Sequence, residues 1–398
     1  MSVLNFRRFT RPGRLKSIAP RNLNQLLSPY SAWLQTRGYT CPSGDISPDY
    51  EALSQILVEP SADTPEELLE ALFLIDEVSH GPNIDLLLKD VERSGMHFPV
   101  EEESSATDIA VLAYLLDPEL LHRRHSMLIL DRVRTYESYR PDRGPLTEIE
   151  YPDEEKLCRM AADMDSWFTR KRKGIGTRVM CTDSGPWLCL VIRHGDLFKR
   201  EGAVATDGSD SCVLYRPERH DVVACHRGSG ELRINGRTKG DKDLYRRVIG
   251  RYLFGDESFF PEVGPIYTLE PLRQDGRASL ACLDVEGIER VTLQRLVLDW
   301  GGDQSERQTH QAGDLFALFE EKGESIPTQP EIHSAAFEVR FSDSRRPRRV
   351  TVYPPNRASF MRDGDGFLIE EWLRRREFAV KGAAGDDIIH REHILAGA

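Results

Sequence analysis

Apolar residues recur at intervals of three and four through the first 140 positions, and at intervals of two from about Arg178 onward. The first period is that of helices packed by one stripe; the second is that of strands with one buried face. In DTPEELLEALFLIDEVSHGP, Leu68, Leu69, Leu72 and Phe73 fall on one helical face. Thr64 and Glu67 have the spacing of a reciprocal cap, and Gly81-Pro82 ends the run. A second helix runs to Gly95, and TDIAVLAYLL gives a third. The fourth starts at Pro118 and continues through TYESY to Tyr139. Short connections between these helices predict antiparallel neighbours in a bundle.

After the change of period, PWLCLVIRHG, SCVLYRPE, DVVACHRG and ELRINGR read as an antiparallel meander, followed by the helix DKDLYRRVIGRYLF. The last third gives strand, strand, helix twice over. RVTLQRLVLDW and SERQTHQA lead into GDLFALFEEKG; SAAFEVRF and RRVTVYPP lead into DGFLIEEWLRRREF. Ala335, Phe337, Val339 and Phe341 alternate with polar neighbours, which marks one buried and one wet sheet face. The alternation slips phase near Gln294-Arg295, as a bulge would make it. The expected fold class is α+β: an N-terminal all-helical domain followed by an antiparallel-sheet domain with repeated strand-strand-helix units, helices on one sheet face. The expected boundaries are a helical domain over 1–140 and a linker with an amphipathic helix and a basic junction over 141–177. A meander plus helix over 178–285 and the repeated units over 286–398 complete the chain.

Composition changes this picture little. The 398 residues carry 65 acidic and 53 basic side chains, a formal charge of −12, so any polyanion contact requires local positive charge. No apolar run has transmembrane length and the N-terminal stretch lacks a signal-peptide core, so no membrane role is expected. Seven cysteines at scattered spacings do not make a secreted disulfide framework, and the expected compartment is a reducing cytoplasm.

Two basic stretches stand out. DSWFTRKRKGIGTRV places Arg170, Lys171, Arg172 and Lys173 where a helix gives way to the first strand. The glycines neither follow a strand nor open a helix, so the phosphate-loop readings fail on context. FSDSRRPRRVTV places Arg345, Arg346, Arg348 and Arg349 at the tip of a hairpin. These eight residues are the expected nucleic-acid footprint, for DNA or RNA, of a non-enzymatic protein whose helical domain contacts a protein partner. The competing interpretations are structural: basic residues offset a helix C-terminal dipole, and charge with proline protects a sheet edge.

A different class is a metal-dependent nuclease or hydrolase using His194, Asp196, Asp207 and Asp210 as metal ligands and water activator. Asp-Gly is equally the commonest hairpin turn. A third possibility is a purely structural subunit of an assembly. No cofactor is expected, and no resident metal. His122 and His125 lack a third ligand, the strand cysteines lack a paired spacing, and the calcium-loop fragment at Asp363 and Asp365 has Arg374 where a glutamate belongs. Asp365 suits a helix cap instead.

Overall fold

The computed structural model describes residues 9–61, 63–81, 83–93, 95–96, 104–141, 149–205, 207–262, 264–344 and 346–380. The chain divides into two compact units, one ending at Leu128 and one beginning at Ile129. It is an α+β protein.

The first unit is helical: α1 (Pro12–Leu15), α2 (Pro20–Leu27), α3 (Ser31–Thr36), α4 (Tyr50–Val58), α5 (Glu66–Val78), α6 (Asn83–Arg93), α7 (Ala106–Leu116) and most of α8 (Pro118–Arg132). Its core gathers Leu23, Leu27, Leu53, Leu68, Leu72, Ile75, Leu87 and Val111, the stripes that the three-four spacing marks. Two local readings are corrected. Thr64 does not cap α5; its hydroxyl accepts from the Ser61 N–H at 2.9 Å, and the helix begins after Pro65 without a side-chain cap. The fourth helix stops at Arg132, because Thr135–Tyr139 pairs on both sides as a strand.

That strand, β1 (Thr135–Tyr139), is the middle of a ten-stranded antiparallel sheet in the second unit. The helix α9 (Glu154–Arg170) precedes β2 (Arg178–Ser184) and β3 (Trp187–Gly195). Next comes a separate two-stranded arm, β4 (Lys199–Val204) with β5 (Asp210–Tyr215), and then β6 (Glu218–His226), β7 (Leu232–Asn235) and α10 (Lys239–Phe254). The remainder is α11 (Pro271–Gln274), β8 (Ile288–Gly301), β9 (Glu306–Gln311), α12 (Leu315–Lys322), β10 (Glu331–Phe341), β11 (Arg348–Tyr353), β12 (Arg357–Ser359) and α13 (Gly366–Arg375). The sheet order is β2-β3-β6-β7-β1-β12-β11-β10-β8-β9. Strand, strand, helix recurs along the chain as expected, but SCVLYRPE belongs to the arm and not to the meander. The bulge expected at Gln294 is present: Arg295 faces Ala336 while Leu293 faces Phe337, leaving Gln294 over.

The helices do not share one sheet face. Leu190, Val223 and Ile234, in register across β3, β6 and β7, pack with Met164 and Phe168 of α9 and Leu244 and Val248 of α10. Register carried across β1 and β12 places Tyr136, Ala358, Val352 and Ala335 on the other face. There the second half packs with Phe316 and Phe319 of α12 and Ile369, Trp372 and Leu373 of α13. Apolar alternation identifies which residues are buried together; it carries no information on which side of a shared sheet each half is covered. The two halves are tied near the seam by Arg233 of β7, which reaches Glu370 of α13 through two bonds at 2.6 and 3.2 Å and stacks over Trp187.

Candidate functional site

Both basic stretches lie at the same end of the ten-stranded sheet. The register runs Arg178–Arg193 at the start of β2, then the start of β6, the end of β7, Thr135–Ser359, and the start of β11 opposite the end of β10. Six strand positions separate β2 from β11, roughly 30 Å at ~4.8 Å per strand.

The eight arginines and lysines are not equivalent. Arg170 ends α9 and Lys171 caps it, both lying over the Trp167 ring at 5.7 and 4.7 Å. Arg172 is exposed and adopts φ 60°. Lys173 turns inward: its Nζ donates to Asp241 Oδ2 at 2.7 Å in a nearly buried pair at the start of α10. Burial pushes the Asp241 carboxyl up, but the bonds with Lys173, Thr238 and Trp167 and the Lys173 charge together hold the group below the usual carboxylate range. In the hairpin, Arg345 lies outside the described residues. Arg346 and Arg349 are exposed. Arg348 donates to Asp363 Oδ1 at 3.0 Å and Asp365 Oδ2 at 3.3 Å and lies over Phe341. Asp365 therefore holds an arginine in place of capping α13 with its side chain. Lys173 and Arg348 are neutralised by carboxylates; among the described residues Arg170, Lys171, Arg172, Arg346 and Arg349 are not.

Arg349 leads to a larger surface. Its partner across β10 is Glu338, whose own partner on β8 is Thr292. The next rows pair Arg290 with Arg340, Ala336 with Arg295, and Tyr353 with Arg357. All of these side chains stand on the sheet face opposite α12 and α13. Arg290, Arg295, Arg340 and Arg349 are exposed there and Arg357 is half-buried. Among the described residues Arg295, Arg349 and Arg357 make no ion pair, and Arg357 lies over Tyr353 at 4.1 Å. Arg340 is 4.0 Å from Glu338, and Arg290 is 3.4 Å from Asp314. The sequence signal for this surface is the polar phase of the alternation that marks the core. Arg290, Arg295, Arg340 and Arg357 have no basic neighbour in the chain, and only the register brings them together with Arg349.

The four His/Asp candidates do not converge. His194 is buried on the α9 side, stacked on Phe168, with Nε2 3.2 Å from Asp221 and Nδ1 2.7 Å from its neighbour's carbonyl, Gly195 O. Tyr245 donates to the same Asp221 oxygen at 2.7 Å. Asp196 accepts from Arg219 and Arg237; burial raises its carboxyl, but the Leu197 N–H and Arg219 hold it below the ordinary value. Asp207 accepts from Ser209 in the turn of the β4–β5 arm, and Asp210 opens β5 opposite Val204. Among the described residues no group of three or more His, Cys, Asp or Glu is arranged to hold a metal ion. No helix there is long and apolar enough to cross a membrane.

The Gly-Ile-Gly within the first basic stretch has a local explanation. Arg216 lies against Gly174 and Gly195, donating to Arg172 O at 2.5 Å and Asp196 O at 3.1 Å and covering Phe198. The Gly176 and Thr177 N–H groups donate to Asp165 at 3.1 and 2.9 Å, so the loop's own donors are occupied by the protein. Comparison with protein-family models and with curated proteins finds no match to this chain.

Proposed function

We propose that the second unit is a non-enzymatic, nucleic-acid-associated module that contacts phosphates through the arginine-bearing sheet face. The observation that carries this reading is the set Arg290, Arg295, Arg340, Arg349 and Arg357 on one face, with Glu338 in its midst. In a chain of net charge −12 this is a local concentration of positive charge. Fixed guanidinium groups on a rigid sheet suit bidentate phosphate contacts better than a mobile tail does. Tyr353 is the aromatic on this face and is already covered by Arg357. Base stacking is therefore a minor contribution, and recognition is dominated by backbone phosphates and insensitive to sequence. Exposed Arg346, Arg172 and Lys171 at the same sheet end extend the path.

The test is a titration of labelled single- and double-stranded DNA and RNA at several salt concentrations. Affinity should fall linearly on logarithmic axes, with a slope near −4 to −5 for duplex if about five phosphates are neutralised. Reversing Arg295 and Arg349 to Glu should abolish binding while leaving the fold intact. An affinity independent of salt, or one that survives the reversal, ends this reading.

A further inference from the structure

On the arginine-bearing face a small open cavity of about 120 Å³ is lined by Arg290, Thr292, Gly313, Glu338 and Arg340. Arg290 and Arg340 are direct cross-strand partners on β8 and β10. Like charges placed opposite each other on a sheet repel, and an arrangement of this kind is destabilising unless an anion sits between them. The protein supplies little compensation. The contacts to Asp314 at 3.4 Å and Glu338 at 4.0 Å are both longer than the 2.7–2.9 Å typical of a charge-assisted bond. Two further donors have no work inside the protein. Among the described residues, the hydroxyl of buried Thr292 and the backbone N–H of Gly313 make no hydrogen bond. Glu338 also lines the cavity, and its Oε2 accepts from Gln294 Nε2 at 2.7 Å.

We infer that this cavity is a phosphate subsite, with Arg290 and Arg340 as the two cationic arms and Thr292 and Gly313 as neutral donors. A volume of about 120 Å³, open to solvent, admits a phosphate group between the two guanidinium groups. The inference rests on the proposed nucleic-acid reading for the source of that phosphate, the strand backbone, but not for the chemistry of the subsite, which free orthophosphate satisfies equally. Glu338 is the one acidic side chain lining the cavity. It weakens anion binding, and this gives the subsite a signature that a merely structural cluster lacks.

Equilibrium dialysis of the full chain with radiolabelled orthophosphate at constant ionic strength tests it, alongside a labelled oligonucleotide. Arg290→Gln and Arg340→Gln should each weaken orthophosphate binding by about tenfold or more, the loss of a charged hydrogen-bond partner. Glu338→Gln, of the same shape, should tighten it severalfold. Orthophosphate that fails to bind both the wild type and Glu338→Gln overturns the subsite, as does binding unchanged by either arginine substitution. The two readings separate cleanly. Orthophosphate bound with these responses, but no oligonucleotide, leaves the subsite standing and removes the nucleic-acid function. Oligonucleotide bound with full affinity by Arg290→Gln and Arg340→Gln does the reverse.

Discussion

Gly174 and Arg216 are fitted to one another: a Cβ built on Gly174 would lie 2.8 Å from Arg216 Nε, closer than real contacts come. Gly174 also has φ 94°, a conformation that disfavours any side chain. Gly176 has φ 98° but open space around it. The two glycines thus separate a backbone cost from a packing cost. Gly176→Ala should destabilise by about 1 kcal/mol and Gly174→Ala by somewhat more, because Arg216 can swing aside only by giving up its bonds to Arg172 O and Asp196 O. Combining Gly174→Ala with Arg216→Ala should recover the packing part. Urea unfolding of these three variants and of Arg216→Ala alone checks this, and strictly additive effects of Gly174→Ala and Arg216→Ala would refute the fit.

Arg348 and Arg349 are neighbours in sequence with opposite tasks. Arg348 binds two aspartates and covers Phe341, whereas Arg349 points away on the other sheet face without an ion pair among the described residues. Arg348→Glu should therefore lower stability by about 1 kcal/mol, a partly exposed network being worth no more. Arg349→Glu should leave the unfolding midpoint within about 0.5 kcal/mol of wild type and weaken oligonucleotide binding. A reversal of these two outcomes in parallel melts and titrations would show that the register assigns the faces wrongly.

The contrast between these two arginines shows what the sequence reveals and what it hides. A buried strand face is visible as alternation, because each apolar side chain must leave water whatever its partner is; Phe337, Val339 and Phe341 are the example. The slip at Gln294 is visible for the same reason. Partnership between distant charges is not visible. Nothing in SRRPRR distinguishes the arginine that meets Asp363 from the one that meets solvent, and nothing in TRKRKG shows that Lys173 turns to Asp241. Arg290, Arg340 and Arg357 each lack a basic neighbour in the chain; strand order, which depends on long-range pairing, brings them together. The strand at Thr135–Tyr139 is hidden behind a helix because five residues are too few to establish a period.

Glu370 holds the seam between the two sheet halves. It receives Arg233 bidentately and lies 3.5 Å from Arg362, whose Phe360 and Tyr136 neighbours leave that guanidinium little access to water. Arg233 keeps its bond to Glu231 at 2.9 Å and Glu370 is about a third exposed, so removing Glu370 leaves Arg233 partly compensated, at a cost of about 1–2 kcal/mol. Glu370→Ala should lose about that much in urea unfolding. The double variant Glu370→Leu with Arg233→Met should lose more than the single one, because it leaves nearly buried Glu231 without Arg233 as well as Arg362 without Glu370. A double variant as stable as wild type would mean that packing, and not the charge network, is what Glu370 and Arg233 supply.

The Lys173–Asp241 pair sets an acid limb to stability. Burial, the largest influence, raises the Asp241 carboxyl, but bonds with Lys173, Thr238 and Trp167 and the Lys173 charge together outweigh it, and the folded-state value ends below the unfolded one. A group depressed in this way binds protons more readily when the chain is unfolded. Its contribution is fully present above the unfolded value of about 3.9 and is lost as pH falls through the folded value. Wild-type stability should accordingly decline below about pH 4. In Lys173→Met the Lys173 bond and charge are gone while burial and the bonds with Thr238 and Trp167 remain, so the Asp241 carboxyl moves upward. That variant should be less stable at neutral pH, and its decline should begin at higher pH than that of wild type. Urea midpoints measured from about pH 2.5 to pH 7 decide the matter, and parallel profiles for the two proteins would show that Lys173 does not govern the titration of Asp241.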